Sequence, residues 1–315
     1  MSRFTEPAFR KDFLHPRYWP VLILIGIMYL LSWLPYFIQF RLGQCIGRLV
    51  MKMMSGRRDT VQQNIVLCFP FMAEEEQQHI MKQNIDNAGL ALFETAMAWF
   101  WPDIRVERHV EVEGLEYVEQ LQQQGKGILL IAVHSMNLEL GARAFGLKTP
   151  GVGVYRPNNN PCFDYFQFKG RVRSNKYMLD RKNVKGMLKG LKNGEILWYA
   201  PDQDYGYGRN STFAPLFAVK EACTTTGTSL LIDASGAVPL AFAMIRNSNS
   251  GKYTLKIFPP LTEFPHKEPH AAAVYINKAV ERSIMTAPSQ YMWLHRRFKT
   301  RPEGKPSLYH SKVDD

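Results

Sequence analysis

The chain has 315 residues, 46% of them hydrophobic and 21% charged, with 39 Lys and Arg against 28 Asp and Glu for a net charge of +11. That composition supports a buried core and excludes a disordered chain. Four cysteines, Cys45, Cys68, Cys162 and Cys223, form no close pair in sequence, which argues against a disulfide scaffold, a zinc ribbon or a CxxC redox site.

The first element in chain order is apolar. Residues 18–40 carry no charge, and 21–31 are almost entirely aliphatic. Tyr18 and Trp19 open the stretch, and Trp33, Tyr36 and Phe37 close it, as membrane-interface aromatics do. The expectation is an N-terminal membrane-anchoring helix, with a span favoured over a re-entrant anchor. Pro35 complicates this, since residues 20–34 reach only about 22 Å at 1.5 Å per residue. Arg3, Arg10, Lys11 and Arg17 precede the run, and Arg41, Arg48, Lys52, Arg57 and Arg58 follow it. Residues 41–60 read as a basic amphipathic helix lying on the membrane. Residues 1–60 are therefore taken as an anchor, and 61–315 as one catalytic domain.

Residues 73–101 predict a long helix. Its aromatic end, Trp99, Phe100 and Trp101 before Pro102, reads as core packing or as the wall of an apolar cleft. Beyond it, apolar runs at 127–133, 151–155, 195–200, 237–245 and 253–258 predict strands, with a short strand at 111–114. Helical stretches at 114–124, 136–146, 161–173, 183–193, 224–234 and 270–287 lie between them. The alternation predicts an α/β fold, with a mixed, mostly parallel sheet flanked by helices.

In such sheets ligands bind at the carboxyl ends of the strands. The run 128–133 ends at His134, and Glu139 follows five residues on. A neutral imidazole there suits general-base activation of a hydroxyl, with the carboxylate holding its tautomer. The competing reading is a helix N-terminal acid beside a satisfied histidine. No G-x-S-x-G, no G-x-x-x-x-G-K-[ST] and no H-E-x-x-H occurs, so a nucleophile elbow, a P-loop and a metalloprotease site are all missing.

The window 151–192 holds ten bases against Asp164 and Asp180. Lys182, Lys185, Lys189 and Lys192 read as a solvated helix face. Arg156, Arg171, Arg173 and Arg181, set among Tyr155 and Asn158, suit phosphates or an oxyanion. Asp202 lies just past the strand at 195–200, where it either forms a turn or steers an arginine. Thr224, Thr225 and Thr226 read as hydroxyls at a helix start, some of them N-caps. The run 291–299 mixes cations with aromatics and, taken alone, reads as nucleic-acid binding.

These residues also carry a resemblance. His15-Pro16-Arg17-Tyr18-Trp19, Ala98-Trp99-Phe100-Trp101-Pro102 and His134-Ser135-Met136-Asn137-Leu138-Glu139 contribute to it. So do Tyr155-Arg156-Pro157-Asn158, Trp198-Tyr199-Ala200-Pro201-Asp202, Thr224-Thr225-Thr226-Gly227 and the segment 292–304. Together they resemble the late acyltransferases of lipid A biosynthesis, within the wider glycerolipid acyltransferases. That wider group usually has Asp where this chain has Glu139.

The resemblance implies transfer of a laurate- or palmitoleate-type acyl chain from acyl carrier protein to a hydroxyl on an acyl chain of a Kdo-bearing lipid A precursor. It implies His134 as base, Glu139 as its orienting acid, Arg171 on the oxyanion and Asp202 organising the site. Tyr155, Arg156, Asn158, Arg173, Arg181 and Thr225 are the candidate substrate-binding residues. No cofactor, metal or covalent acyl-enzyme is called for. The implied place is the bacterial inner membrane, with the active site on the cytoplasmic side. The positive charge then faces anionic lipid, acceptor phosphates and an acidic carrier, with nucleic acid the least favoured partner. A glycerophospholipid precursor is the alternative acceptor. A non-enzymatic basic protein would explain the charge but not buried strands ending in His134 and Asp202.

Overall fold

The computed structural model describes residues 6–247 and 250–309. Arg3 and the outer ends of the two expected segments lie outside the described residues. Helix α1 (Trp19–Ser32) turns at Pro35 into α2 (Tyr36–Met53), followed by α3 (Ser55–Cys68) and the long α4 (Glu74–Phe100). Helix α5 (Asp103–His109), β1 (Val110–Glu113) and α6 (Leu115–Gln123) lead into β2 (Ile128–Ile131) and α7 (Leu138–Lys148). Then come β3 (Gly151–Tyr155), α8 (Pro161–Val172), β4 (Asn175–Asp180), α9 (Val184–Lys192) and β5 (Ile196–Tyr199). A ribbon of β6 (Ser211–Leu216) and β7 (Val219–Thr225) precedes α10 (Gly227–Ser235), β8 (Val238–Arg246), β9 (Tyr253–Ile257) and α11 (Pro269–Met285).

Seven strands form one sheet in the order β1-β9-β8-β2-β5-β3-β4. Only the β8–β9 pairing within it is antiparallel. The α/β reading with a mixed, mostly parallel sheet therefore holds. Strand β2 pairs with β5 on one side and β8 on the other, and all four of its residues are fully buried, as its continuous apolar run requires. One face of the sheet carries α9, α10 and α11 over Leu129, Ile131, Val152 and Leu197. The other carries α4 and α7 over Leu130, Ile196, Leu240 and Phe242.

Three sheet or ribbon elements departed from expectation. Strand β4 is an edge strand with Lys176 and Tyr177 exposed, so it has no apolar run to betray it. Strands β6 and β7 form a separate antiparallel pair. Thr224 and Thr225 close β7 instead of opening a helix, and the Thr225 hydroxyl accepts from the Gly227 N–H at 3.1 Å.

The N-terminal expectation is corrected. Among the described residues no helix is long and apolar enough to cross a membrane. Helix α1 has 14 residues, about 21 Å against a hydrocarbon core of roughly 30 Å. The surface helix expected at 41–60 is two helices, broken at Met54, and both are partly buried. Helix α2 lies against α4 backbone to backbone. A Cβ at Gly43, Gly47 or Gly89 would overlap the facing helix, so small residues set the approach. Arg48 clamps Asp86 through two bonds of 2.6 and 2.8 Å across the same contact. The aromatic end of α4 is core: Trp99 and Trp101 are buried, and the Trp101 indole N–H donates to the Ser32 carbonyl at 2.7 Å, tying α1 down.

Candidate active site

A cavity of about 920 Å³ lies across the carboxyl ends of the adjacent parallel strands β2, β5, β3 and β4. This is where a parallel sheet leaves backbone groups and loops free to meet a ligand. His134 in the β2–α7 turn, Tyr155 at the end of β3, Arg156 after it, Arg181 after β4 and Tyr205 after β5 all line it. Glu139 enters from the first turn of α7, and Arg171 from the last turn of α8.

The carboxylate that holds His134 is Asp202. His134 Nδ1 is 2.6 Å from Asp202 Oδ1, and the His134 backbone N–H donates to Oδ2 at 2.8 Å. Asp202 is wholly buried, whereas the imidazole keeps a quarter of its surface open. With Nδ1 taken by a carboxylate, Nε2 is the nitrogen available to a substrate. Burial pulls the imidazole pKa down, but the charge of Asp202 and its hydrogen bond outweigh that, and the net direction is up from 6.5. Burial pushes Asp202 upward. The His134 charge, its two hydrogen bonds and one from Tyr291 overcome this, and the carboxyl lies below its usual range.

Glu139 does not orient the histidine. It is paired with Arg171, whose Nε lies 2.9 and 3.2 Å from the two Glu139 oxygens, with Nη2 closer still to Oε1. The Trp99 indole N–H adds a long bond of 3.4 Å to Glu139. Burial raises the Glu139 carboxyl, Arg171 lowers it by more, and the net direction is down. The expected His134–Glu139 pairing is thus replaced by two couples, His134 with Asp202 and Arg171 with Glu139. The physical reason is reach. The planar guanidinium arriving from α8 takes the α7 carboxylate through parallel N–H donors, and the loop after β5 brings Asp202 under the imidazole.

The remaining candidates divide. Tyr155, Arg156, Arg181 and Thr225 line the cavity. Arg173 does not: it caps the end of α4, donating to the Trp99 and Trp101 carbonyls. Asn158 is also outside the lining. Its side chain accepts from the Asn160 N–H at 2.9 Å and its own N–H donates to Asp164 at 2.6 Å, so it shapes the loop after β3. Sequence reading passed over Met178, Tyr199, Tyr207, Arg209 and Leu230, which also line the cavity. The strand-end rule, applied to both faces of β5, is the signal that would have found Tyr199; Met178 lies on β4, which has no apolar run to mark it.

The run 291–299 fastens the site from behind. Met292 N–H donates to the His134 carbonyl at 3.0 Å, and Ser135 pairs with Tyr291 in an isolated bridge. Arg297, 4% exposed, donates to the Cys223 carbonyl at 2.8 Å, and Trp293 is core. Its aromatics and this cation face inward.

Comparison with known proteins gives this geometry a family. The sequence model of bacterial lipid A biosynthesis acyltransferases matches residues 6–300. The chain belongs to that family. It is 51% identical to the lipid A biosynthesis lauroyltransferase of Escherichia coli (strain K12) over 303 residues, 96% of this chain and 99% of the relative. It is 45% identical to the lipid A biosynthesis palmitoleoyltransferase of the same organism, over 97% of this chain and 99% of the relative. Identity to the E. coli lipid A biosynthesis myristoyltransferase is 26%, over 97% and 95%. The chain is therefore an acyltransferase. Its cavity joins a histidine, a paired arginine and apolar walls.

Proposed function

We propose that this acyltransferase moves a laurate- or palmitoleate-type acyl chain from acyl carrier protein to a hydroxyl on an acyl chain of a Kdo-bearing lipid A precursor. The observation that carries the reading is the His134–Asp202 couple opening onto the cavity beside Arg171. Family membership and the lauroyl- and palmitoleoyltransferase relatives support the substrate class.

An aliphatic hydroxyl holds its proton at neutral pH, so attack needs a base. His134 Nε2 takes the hydroxyl proton as the oxygen bonds to the thioester carbonyl carbon. The buried Asp202 keeps the proton on Nδ1 and stabilises the imidazolium that forms. The carbonyl oxygen becomes an oxyanion. Arg171, held rigid by Glu139, supplies a fixed cation for it without reorganisation. Collapse re-forms the carbonyl, breaks the C–S bond, and returns the proton from His134 to the departing sulfur. Arg156 and Arg181 at the rim suit the phosphates of the acceptor or the carrier.

The membrane part of the reading rests on α1 and α2. Trp19, Ile23, Ile27 and Leu30 recur along one face of α1 and are 45–67% exposed, and Phe37 at the start of α2 is 68% exposed. Arg17 and Arg41 flank this surface. An apolar face with cationic ends suits a helix lying in the bilayer interface. On this reading the enzyme is attached to the inner membrane, its cavity on the cytoplasmic side.

The test is a transfer assay. The purified chain should move a lauroyl or palmitoleoyl group from acyl carrier protein to the lipid A precursor, and glycerol 3-phosphate should be a poor acceptor. Absence of transfer to the lipid A precursor, or equal transfer by His134→Ala, would overturn the reading.

A further inference from the structure

Helix α5 lies beside the last turn of α1, and its charges are unevenly matched. Its two acids are committed. Asp103 pairs with Arg143 and lies 3.6 Å from Arg173, and Glu107 takes Lys148 at 3.1 Å. Its two arginines, Arg105 and Arg108, have no carboxylate or carbonyl partner for their guanidinium groups among the described residues. The other well-seated arginines do: Arg171 takes Glu139 and Arg246 takes Glu94.

Arg105 is held by aromatic rings instead. Its guanidinium carbon lies 4.9 Å from the Trp33 ring centre and 4.1 Å from that of Trp101. An indole face satisfies the charge but not the N–H donors, which still call for an acceptor. Trp101 is buried and fixed by its bond to the Ser32 carbonyl, so the half-buried cation sits on a rigid base. The outer side is open. Trp33 is 44% exposed, and its edge-on neighbour Tyr29, 6.2 Å away, is 46% exposed. Ile104 on α5 is exposed as well. These residues continue the exposed apolar face of α1, so Arg105 stands where that face ends in aromatics and cations. Trp and Tyr at such an edge are the residues that settle at the level of lipid head groups.

We propose that Arg105, seated on Trp33 and Trp101, is a binding site for the head-group phosphate of an anionic phospholipid, with the neighbouring Arg108 adding to its field. The proposal rests on the interfacial reading of α1 above and names the lipid contact at that end of the helix. A guanidinium fork matches phosphate oxygens through paired N–H donors, which an ammonium cannot do. Because the indoles already hold this one in place, little side-chain freedom is left to lose when the phosphate arrives.

The full chain would be sedimented with vesicles of phosphatidylglycerol and phosphatidylethanolamine, and separately with vesicles of phosphatidylcholine alone. Arg105→Gln should weaken binding to the anionic vesicles by about fivefold or more. Arg105→Lys keeps the charge but not the flat fork, and should recover only part of the loss. Binding to phosphatidylcholine, which rests on the apolar face of α1, should stay within about twofold in both variants, showing that α1 is still seated. Lys126→Gln removes one exposed cation ahead of β2 and should leave binding to both vesicles unchanged. A loss in Arg105→Gln no greater than in Lys126→Gln would reduce the effect to general charge and overturn the proposal. So would wild-type binding by Arg105→Lys, or an equal loss on both vesicle types. Displacement by inorganic phosphate beyond that by chloride at equal ionic strength would assign the site to the free ion and overturn it too. Failure of the wild type to bind either vesicle would instead remove the interfacial reading of α1, and the proposal with it.

Discussion

Two buried acid–base couples of nearly the same geometry sit on this fold and do different things. Arg246 on β8 and Glu94 on α4 meet at 2.6 Å, each 1% exposed, with Asn87 also on the guanidinium. His134 and Asp202 also meet at 2.6 Å, but the imidazole keeps 25% of its surface open to the cavity. The first pair is sealed on both sides and joins a helix to the sheet. The second is sealed on one side only. Burial and pairing alone therefore do not mark a site; a titratable group with one edge committed and the other edge presented does.

That contrast can be broken by substitution. The largest effect should come from His134→Ala, lowering kcat by roughly 10²–10⁴-fold with little change in the urea midpoint. Arg246→Ala should do the reverse. It leaves the Glu94 carboxyl, whose pKa burial already holds up, without its partner in the core, and should destabilise the protein by about 3–5 kcal/mol in urea titration, while turnover per folded molecule stays within a few-fold. Equal loss of turnover in the two variants would erase the distinction.

Asp202→Asn sharpens it. Asp202 is what lifts the imidazole against burial, so the wild-type acid limb of kcat/KM should lie above pH 6.5, because the unprotonated base is the active form. Removing the carboxylate charge leaves burial dominant, so the limb should move to lower pH while the plateau falls by about 10²-fold. A limb that moves upward would contradict the pairing. The smallest effect is expected for Glu139→Gln, which loosens Arg171 without touching His134. The plateau should fall by about tenfold with the acid limb unmoved. If the limb moved instead, Glu139 would be coupled to the histidine as the sequence spacing first implied.

Much of the site was legible before any coordinates. The buried strands announce themselves as unbroken apolar runs, and the rule that ligands sit at strand ends leads directly to His134, Tyr155 and Asp202. The less legible parts share a cause. Strand β4, half exposed at the sheet edge, has no one-dimensional pattern to read. Arg173 belongs to the same basic window as Arg171 but turns away to cap α4, a choice set by where the helix ends and not by composition. The cationic and aromatic run at 291–299 looked like a binding surface, yet Arg297 is buried against β7 and Trp293 in the core.

The sequence by itself determined the fold class and the family, and it pointed to His134 at a strand end, because apolar periodicity and long local motifs are properties of neighbours along the chain. Which acid serves which base was a tertiary decision. Glu139 is five residues from His134 and Asp202 is 68 residues away, yet Asp202 makes the bond, because β2 and β5 are paired in the sheet and their loops emerge side by side. The apolar N-terminal stretch was likewise read correctly as apolar. Its length as a helix, the turn at Pro35 and the packing of α1 and α2 on α4 leave, among the described residues, no helix long and apolar enough to cross a membrane.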